Sequence, residues 1–262
     1  MKTRLDAELV RRGLARSREN ASQLIEDKLV LIAGIPANKA ATQVDGQTSI
    51  TLRESKNAYV SRGGFKLEGA IKAFPEIQIK QKVVLDAGAS TGGFTDLLLK
   101  NGAAKVIAVD VGYGQLAWEL QNDARVKIFD RVNIRNISVE QIGERVDLVV
   151  ADLSFISLKL VIPALISVGK VETDYLLMVK PQFEVGKDKL GSGGVVREIS
   201  LRKSAVKEVA DLAFTHGLGC LGVVASPLPG PSGNVEYFLW LKANAPALLE
   251  VDLDHAIAEG PQ

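Results

Sequence analysis

The chain has 262 residues, 47% of them hydrophobic, and 32 Lys+Arg nearly balance 31 Asp+Glu for a formal net charge of +1. That length can bury a full-sized core and still carry a small accessory module. A single cysteine, Cys220, excludes an internal disulfide, and the two histidines, His216 and His255, have no Cys or His at ligand spacing, so no metal site is legible. The start lacks a signal-peptide apolar core, and charges interrupt every apolar run before membrane-spanning length, so the expected location is the cytoplasm with no membrane partner.

Charge is placed unevenly. Residues 1–66 carry 12 Lys+Arg against 7 Asp+Glu, whereas the remainder carries 20 against 24. A basic surplus on one small module is what phosphate neutralisation requires. Within it, Leu5, Leu9, Val10 and Leu14, then Ala21, Leu24, Ile25 and Leu29, fall at helical spacing. This predicts two short helices punctuated by Gly13 and Ser17, with Ser17 capping the second. Short strands are expected at 29–32 and 48–52, around turns at Gly34-Ile35-Pro36 and Asp45-Gly46. Arg11, Arg12, Arg16 and Arg18 sit at the helix junction, where several guanidinium forks could face one phosphate track.

That stretch, from Arg4-Leu-Asp-Ala-Glu-Leu through Leu14-Ala-Arg-Ser-Arg-Glu to Lys28-Leu-Val-Leu-Ile, resembles the alpha-L RNA-binding domain shared by ribosomal protein S-four and many pseudouridine synthases. The resemblance covers about the first 50 residues and implies that Arg4 and Lys28 join the arginines in contacting RNA. The expected organisation is an RNA-binding domain at 1–54, a polar linker at 55–61 and a second domain at 62–262.

From residue 80 strands and helices alternate, as in a parallel sheet with helices on both faces. Strands are expected at 83–86, 105–110, 126–130, 146–152 and 175–180, with helices at 94–101, 115–121, 158–168 and 201–215. Trp118 is expected in the core of its helix, and Cys220 as a small buried hydrophobe. The closing strands, 218–225 and 235–242, are joined by a Pro- and Gly-rich loop too short for a helix, so they should be antiparallel neighbours. The fold class is therefore α/β, a Rossmann-like class I methyltransferase sheet of seven strands, beside a small N-terminal α+β domain.

The glycine loop Gly88-Ala-Ser-Thr-Gly-Gly93 follows the first of these strands. A dinucleotide fingerprint has glycine where Ser90 stands, because the backbone there approaches a pyrophosphate. Ser90 instead favours a phosphate-free ligand such as S-adenosylmethionine, held over Gly88, Ser90, Thr91, Gly92 and Gly93 with its carboxylate at the helix N-terminus. Asp86 would meet the ligand's amino group, Asp110 its ribose hydroxyls and Asp130 its adenine amine.

The motifs Asp86-Ala-Gly-Ala-Ser-Thr-Gly-Gly-Phe94, Asp110-Val-Gly-Tyr-Gly-Gln-Leu116, Ala151-Asp-Leu-Ser-Phe-Ile-Ser157, Val179-Lys-Pro-Gln-Phe-Glu-Val-Gly186 and Ser226-Pro-Leu-Pro-Gly-Pro-Ser-Gly-Asn-Val-Glu-Tyr237 resemble the TlyA family. These are bacterial rRNA ribose methyltransferases with an FtsJ-type catalytic domain, historically also called haemolysins. Relatives usually carry Trp in the linker where this chain has Tyr59. The resemblance implies a catalytic tetrad of Lys66, Asp152, Lys180 and Glu236. It also implies cytidines of small- and large-subunit rRNA, or the subunits themselves, as substrates, the acidic tail at 250–262 marking the form that acts on both. Loss of the methyl marks would then reduce sensitivity to cyclic-peptide antibiotics such as capreomycin.

The chemistry fits such a set. A sulfonium methyl is already activated, so the enzyme must align it with a ribose hydroxyl and manage one proton. Lys180 is the expected group that removes or stabilises that proton. A free lysine titrates near ~10.4; Lys66 and burial would lower that value, Asp152 and Glu236 would oppose, and the sequence leaves the balance open. The segment 183–195 reads as a substrate lid, and Arg62, Lys187 and Arg197 around it are expected phosphate contacts. The protein is expected to be a monomer. Two other readings stand beside this one, a membrane-active haemolysin and a non-catalytic RNA-binding adaptor, and an oxidoreductase is disfavoured by Ser90.

Overall fold

The computed structural model describes every residue except Met1, Arg16, Asp27, residues 53–58, Pro231, Pro261 and Gln262, together with the side chains of Glu19 and Lys187. Arg16, the Lys187 side chain and most of the expected linker thus lie outside the described residues. The chain divides into two compact units, Met1–Arg62 and Gly63–Gln262.

The first unit runs β1 (Thr3–Arg4), α1 (Leu5–Arg11), α2 (Arg18–Glu26), β2 (Val30–Ile32), β3 (Ile35–Pro36), β4 (Gln43–Val44) and β5 (Ile50–Leu52). The helical stripe read from the sequence is its core, with Leu5, Leu9, Ala21, Ile25 and Val30 buried. Ser17 Oγ accepts from the Asn20 backbone N–H, the bond an N-cap makes. The expected strands at 29–32 and 48–52 pair antiparallel as β2 and β5.

The helix α3 (Arg62–Ala73) begins at the division, and the second unit continues with β6 (Val83–Ala87), α4 (Gly93–Lys100), β7 (Lys105–Val109), α5 (Trp118–Gln121), β8 (Val126–Phe129), α6 (Val139–Ile142) and β9 (Val146–Ala151). Then come α7 (Ile162–Val168), β10 (Gly169–Val179), α8 (Pro181–Glu184), α9 (Ile199–Thr215), β11 (Leu218–Ala225), β12 (Tyr237–Ala243) and α10 (Glu250–Glu259). Its sheet has seven strands in the order β11-β12-β10-β9-β6-β7-β8. The five strands from β10 to β8 are parallel, while β12 lies antiparallel between β10 and β11 as the short loop requires. Parallel strands covered on both faces need continuous apolar runs, and Leu148, Val149, Val150 and Ala151 of β9 are all sealed from solvent. Chain direction through the sheet reverses between β6 and β9, which opens a crevice at their carboxyl ends.

Two expectations are corrected. Trp118 is 70% exposed, not core. The helix that carries it is a single turn, and the buried positions are Leu116 and Leu120, which pack over Gly92 and leave Trp118 between them facing out. The C-terminal segment is a helix rather than a tail: Leu253, Ala256 and Ile257 of α10 are buried, and its acids Glu250 and Asp254 pair with Lys203 of α9. Cys220 is buried as expected, and burial pushes its thiol up to about 11.

Candidate active site

The ends of β9, β10 and β12, with the start of α3, bring four charged side chains together. Lys66, from the first turns of α3, donates to Glu236 Oε2 at 2.6 Å just before β12. Lys180, the residue after β10, lies 2.6 Å from Asp152 Oδ1, the residue after β9. Lys180 Nζ also donates to Ser154 Oγ at 3.0 Å and sits 5.9 Å from the Phe183 ring centre. Lys66, Lys180 and Glu236 are buried, and Gln182 Nε2 reaches Glu236 Oε1 at 3.4 Å. The antiparallel turn of β12 is what allows this: its amino end lies beside the carboxyl end of β10, with Tyr237 opposite Val179.

The charges gathered here act on the protonation of Lys180 and Asp152. Burial disfavours the charge on Lys180, but Asp152 and Glu236 together outweigh it and hold the ammonium above its usual range. Burial likewise disfavours the Asp152 carboxylate, and Lys180 and Lys66 overcome it to hold that group below its usual range. The balance left open by the sequence therefore falls on the side of a charged Lys180.

Beside this cluster the loop after β6 folds in left-handed turns. Gly88 has φ +88° and its missing Cβ would stand 2.5 Å from the Asp152 carbonyl oxygen, so only glycine lets this loop lie against the end of β9. Ser90, at φ +48°, donates its backbone N–H to Asp110 Oδ2 at 2.8 Å. Thr91 accepts from the Ala117 N–H, and Gly92 caps α4 so that Gly93 begins it. Asp110 also accepts from Gly112 N, and Asp130 from Gly114 N. Asp86 is completely buried below the loop. Its Oδ2 accepts from Thr95 at 2.6 Å while Oδ1 has no partner, and burial, with the charges of Asp152 and Asp110 adding to it, pushes its carboxyl up to about 7 against the Thr95 bond.

A carboxylate at each of three successive strand ends, one with an orphaned oxygen, beside a helix N-terminus and a turn with Ser90 in place of glycine, fits a ligand carrying an amine, a carboxylate and ribose hydroxyls.

Several residues around the site were not singled out in the sequence. Glu184 of α8 is buried and receives both Ser157 Oγ and the Leu158 N–H, tying the segment after β9 to the helix after β10. Burial pushes Glu184 above the usual carboxylate range despite those donors. Phe155 is 87% exposed in a left-handed conformation, φ +62°, with its ring 5.3 Å from Phe183. All lie inside the motifs 151–157 and 179–186, and their position just past two strand ends was the available signal.

The expected lid contains two single 3-10 turns, Lys187–Lys189 and Ser192–Gly194, and Arg197 lines a cavity of about 530 Å³ there with Lys189, Leu190 and Val195. Arg62 is the first residue of α3. In the N-terminal unit Arg4 and Arg18 both bind Asp6, and Arg11 and Arg12 both bind Glu8. Arg12 also donates to the carbonyls of Thr48, Asp45 and Gly46, which brace α1 to the turn before β5 and leave most of its donors engaged within the unit. Lys28 Nζ reaches Asn38 at 2.6 Å on an exposed turn. Among the described residues no cluster of His, Cys, Asp and Glu could hold a metal ion.

Sheet order, glycine turn and strand-end carboxylates together define a class I methyltransferase. Residues 59–243 match the FtsJ-like methyltransferase family and residues 3–50 the S4 domain. A Mycobacterium tuberculosis protein named 16S/23S rRNA (cytidine-2'-O)-methyltransferase TlyA is 54% identical, with 99% of each chain covered. YqxC of Bacillus subtilis, provisionally named an rRNA methyltransferase, is 40% identical over 92% of this chain and 85% of its own. A solved Streptococcus thermophilus structure, provisionally described as a hemolysin, superposes with a TM-score of 0.78 at 36% identity, covering 98% and 95% of the two chains. The chain belongs to the TlyA family of FtsJ-like methyltransferases.

Proposed function

We propose that this protein transfers a methyl group from S-adenosylmethionine to the 2′-hydroxyl of cytidine in ribosomal RNA, on both the small and the large subunit, acting as a cytoplasmic monomer. The observation that carries the reading is the paired cluster Lys66–Glu236 and Lys180–Asp152, built at the crevice beside the loop 88–93. In this reading residues 1–54 bind RNA, residues 55–61 link, and residues 62–262 catalyse.

Asp86, Gly88, Ser90, Thr91, Gly92, Gly93, Asp110 and Asp130 hold S-adenosylmethionine, which supplies an electrophilic methyl group when bound. Lys66, Asp152, Lys180 and Glu236 act on the ribose. Lys180 Nζ takes the hydroxyl proton, and Asp152 holds Nζ in place from 2.6 Å. Lys66 neutralises Glu236, so that Glu236 adds field at Lys180 without standing as an unpaired buried charge. Arg4, Arg11 and Arg18, each with an exposed or half-exposed guanidinium, track phosphates with Lys28, Arg62 and Arg197, and the segment 183–195 closes over the substrate.

Mapping ribose methylation in rRNA from cells with and without the gene tests this directly: two cytidine marks should disappear. Calorimetric titration should show S-adenosylmethionine binding and no NAD binding. Membrane lysis has no comparable support, because among the described residues no helix is long and apolar enough to cross a bilayer. Liposome leakage by the purified protein would revive it.

A further inference from the structure

If Lys180 takes the hydroxyl proton, it must shed that proton once per turnover, and it must start neutral. Both demands meet an obstacle, because its surroundings favour the ammonium. Four groups face Nζ, two from the segment after β9 and one each from just before β12 and from α8. Asp152, after β9, is held as a carboxylate by its two lysines and is a weak acceptor at neutral pH. Glu236, before β12, is already engaged by Lys66 of α3 at 2.6 Å. Phe183 of α8 offers only a ring face. Ser154 is different in kind: its hydroxyl accepts from Nζ at 3.0 Å, its side chain is open to solvent, and a hydroxyl can accept one proton while giving up another.

We propose that Ser154 is the proton exit for Lys180, a relay residue that carries the proton from the buried Nζ to bulk water. The inference rests on the methyltransferase reading above. The step balances without a further reactant. Nζ–H breaks as Ser154 Oγ takes that proton, the original Ser154 O–H breaks as its proton passes to a water molecule, and Lys180 is left neutral with its lone pair restored. Ser154 touches neither the methyl donor nor the ribose in this scheme; it acts through Lys180.

The test is steady-state methylation of rRNA by the full-length protein and its Ser154→Ala and Ser154→Thr variants across a pH series, with and without added imidazole. Ser154→Ala should lower kcat roughly tenfold near neutral pH, less than loss of the acceptor itself, and leave KM for S-adenosylmethionine unchanged. Imidazole should restore its rate in proportion to concentration while leaving wild type unaffected, and Ser154→Thr, which keeps the hydroxyl, should stay within about twofold of wild type. A Ser154→Ala enzyme that matches wild type at every pH, or one that is slow but unmoved by imidazole, overturns the relay while the methyltransferase reading stands. Wild-type protein that binds S-adenosylmethionine yet methylates no cytidine ribose in rRNA overturns the reading and the relay with it.

Discussion

Lys66 and Glu236 are 170 residues apart in the chain and 2.6 Å apart in the fold, both sealed from solvent. A buried pair of this kind adds little net stability, because desolvation cancels most of the attraction, but removing one member leaves a bare charge inside. Lys66→Met or Glu236→Leu alone should therefore destabilise by roughly 3–5 kcal/mol in urea denaturation, whereas the double variant should recover most of that loss and still be inactive. A double variant no more stable than either single one would show that the two side chains do not act as a pair.

For Lys180, exchange to alanine should leave S-adenosylmethionine binding within error and lower single-turnover methylation by roughly 10²-fold or more. Arginine should not rescue it, since guanidinium stays protonated. Full rescue by arginine would mean that charge alone is used at this position.

The direction of the Lys180 shift sets the pH dependence. Held above its usual value, the group is an ammonium at neutral pH, and its neutral fraction rises tenfold for each unit of pH below its pKa. Log kcat should thus climb with a slope near +1 between about pH 7 and about pH 9 if Lys180 accepts the proton. A flat profile over that window would leave Lys180 as a fixed cation.

Asp86 predicts a stability effect of opposite origin. Its carboxyl is pushed up to about 7 by burial, from an ordinary value of 3.8, so the folded state binds a proton that the unfolded state releases. Stability from this group is present below the ordinary value and is lost as pH rises through the folded one. Asp86→Asn should therefore gain on wild type as pH rises from about 4 to about 7 and hold that gain above it, by a few kcal/mol at most, in thermal melts of ligand-free protein. A difference that does not change with pH would place the proton elsewhere.

In the N-terminal unit, Arg11 and Arg18 are more than half exposed while Arg12 is enclosed by its own acceptors. Replacing Arg11 and Arg18 with alanine should weaken RNA binding across sequences and reduce the slope of log K against log salt by about 2, with cofactor affinity unchanged. Arg12→Ala should instead lower the melting temperature of the unit. Salt-independent binding by wild type would remove the phosphate contacts altogether.

Much of this protein was legible along the chain because the relevant physics is local. Apolar spacing marked the core positions Leu5, Leu9, Ala21 and Ile25, and the alternation of strands and helices after residue 80 marked β6, β7, β9 and β10 as strands of a parallel sheet with helices on both faces. The short Pro-Gly loop before β12 dictated an antiparallel partner, and Ser90 in the first glycine turn spoke against pyrophosphate. Helix ends were less legible: α5 shrank to one turn once Ala117 N–H bonded Thr91, and Trp118 was turned outward.

What residue types could do at 66, 152, 180 and 236 followed from the sequence and its family resemblance; what they do to one another did not. Their partners, Lys66 with Glu236 and Lys180 with Asp152 and Ser154, exist only because β12 runs back beside β10 and α3 reaches over its start. The sign of the Lys180 shift depends on distances of a few ångströms and on how much water is excluded, and both are properties of the packed sheet edge rather than of any stretch of chain. The same holds for Arg12, whose charge was visible from the start but whose acceptors, 33 to 36 residues away, were supplied by the folded turn.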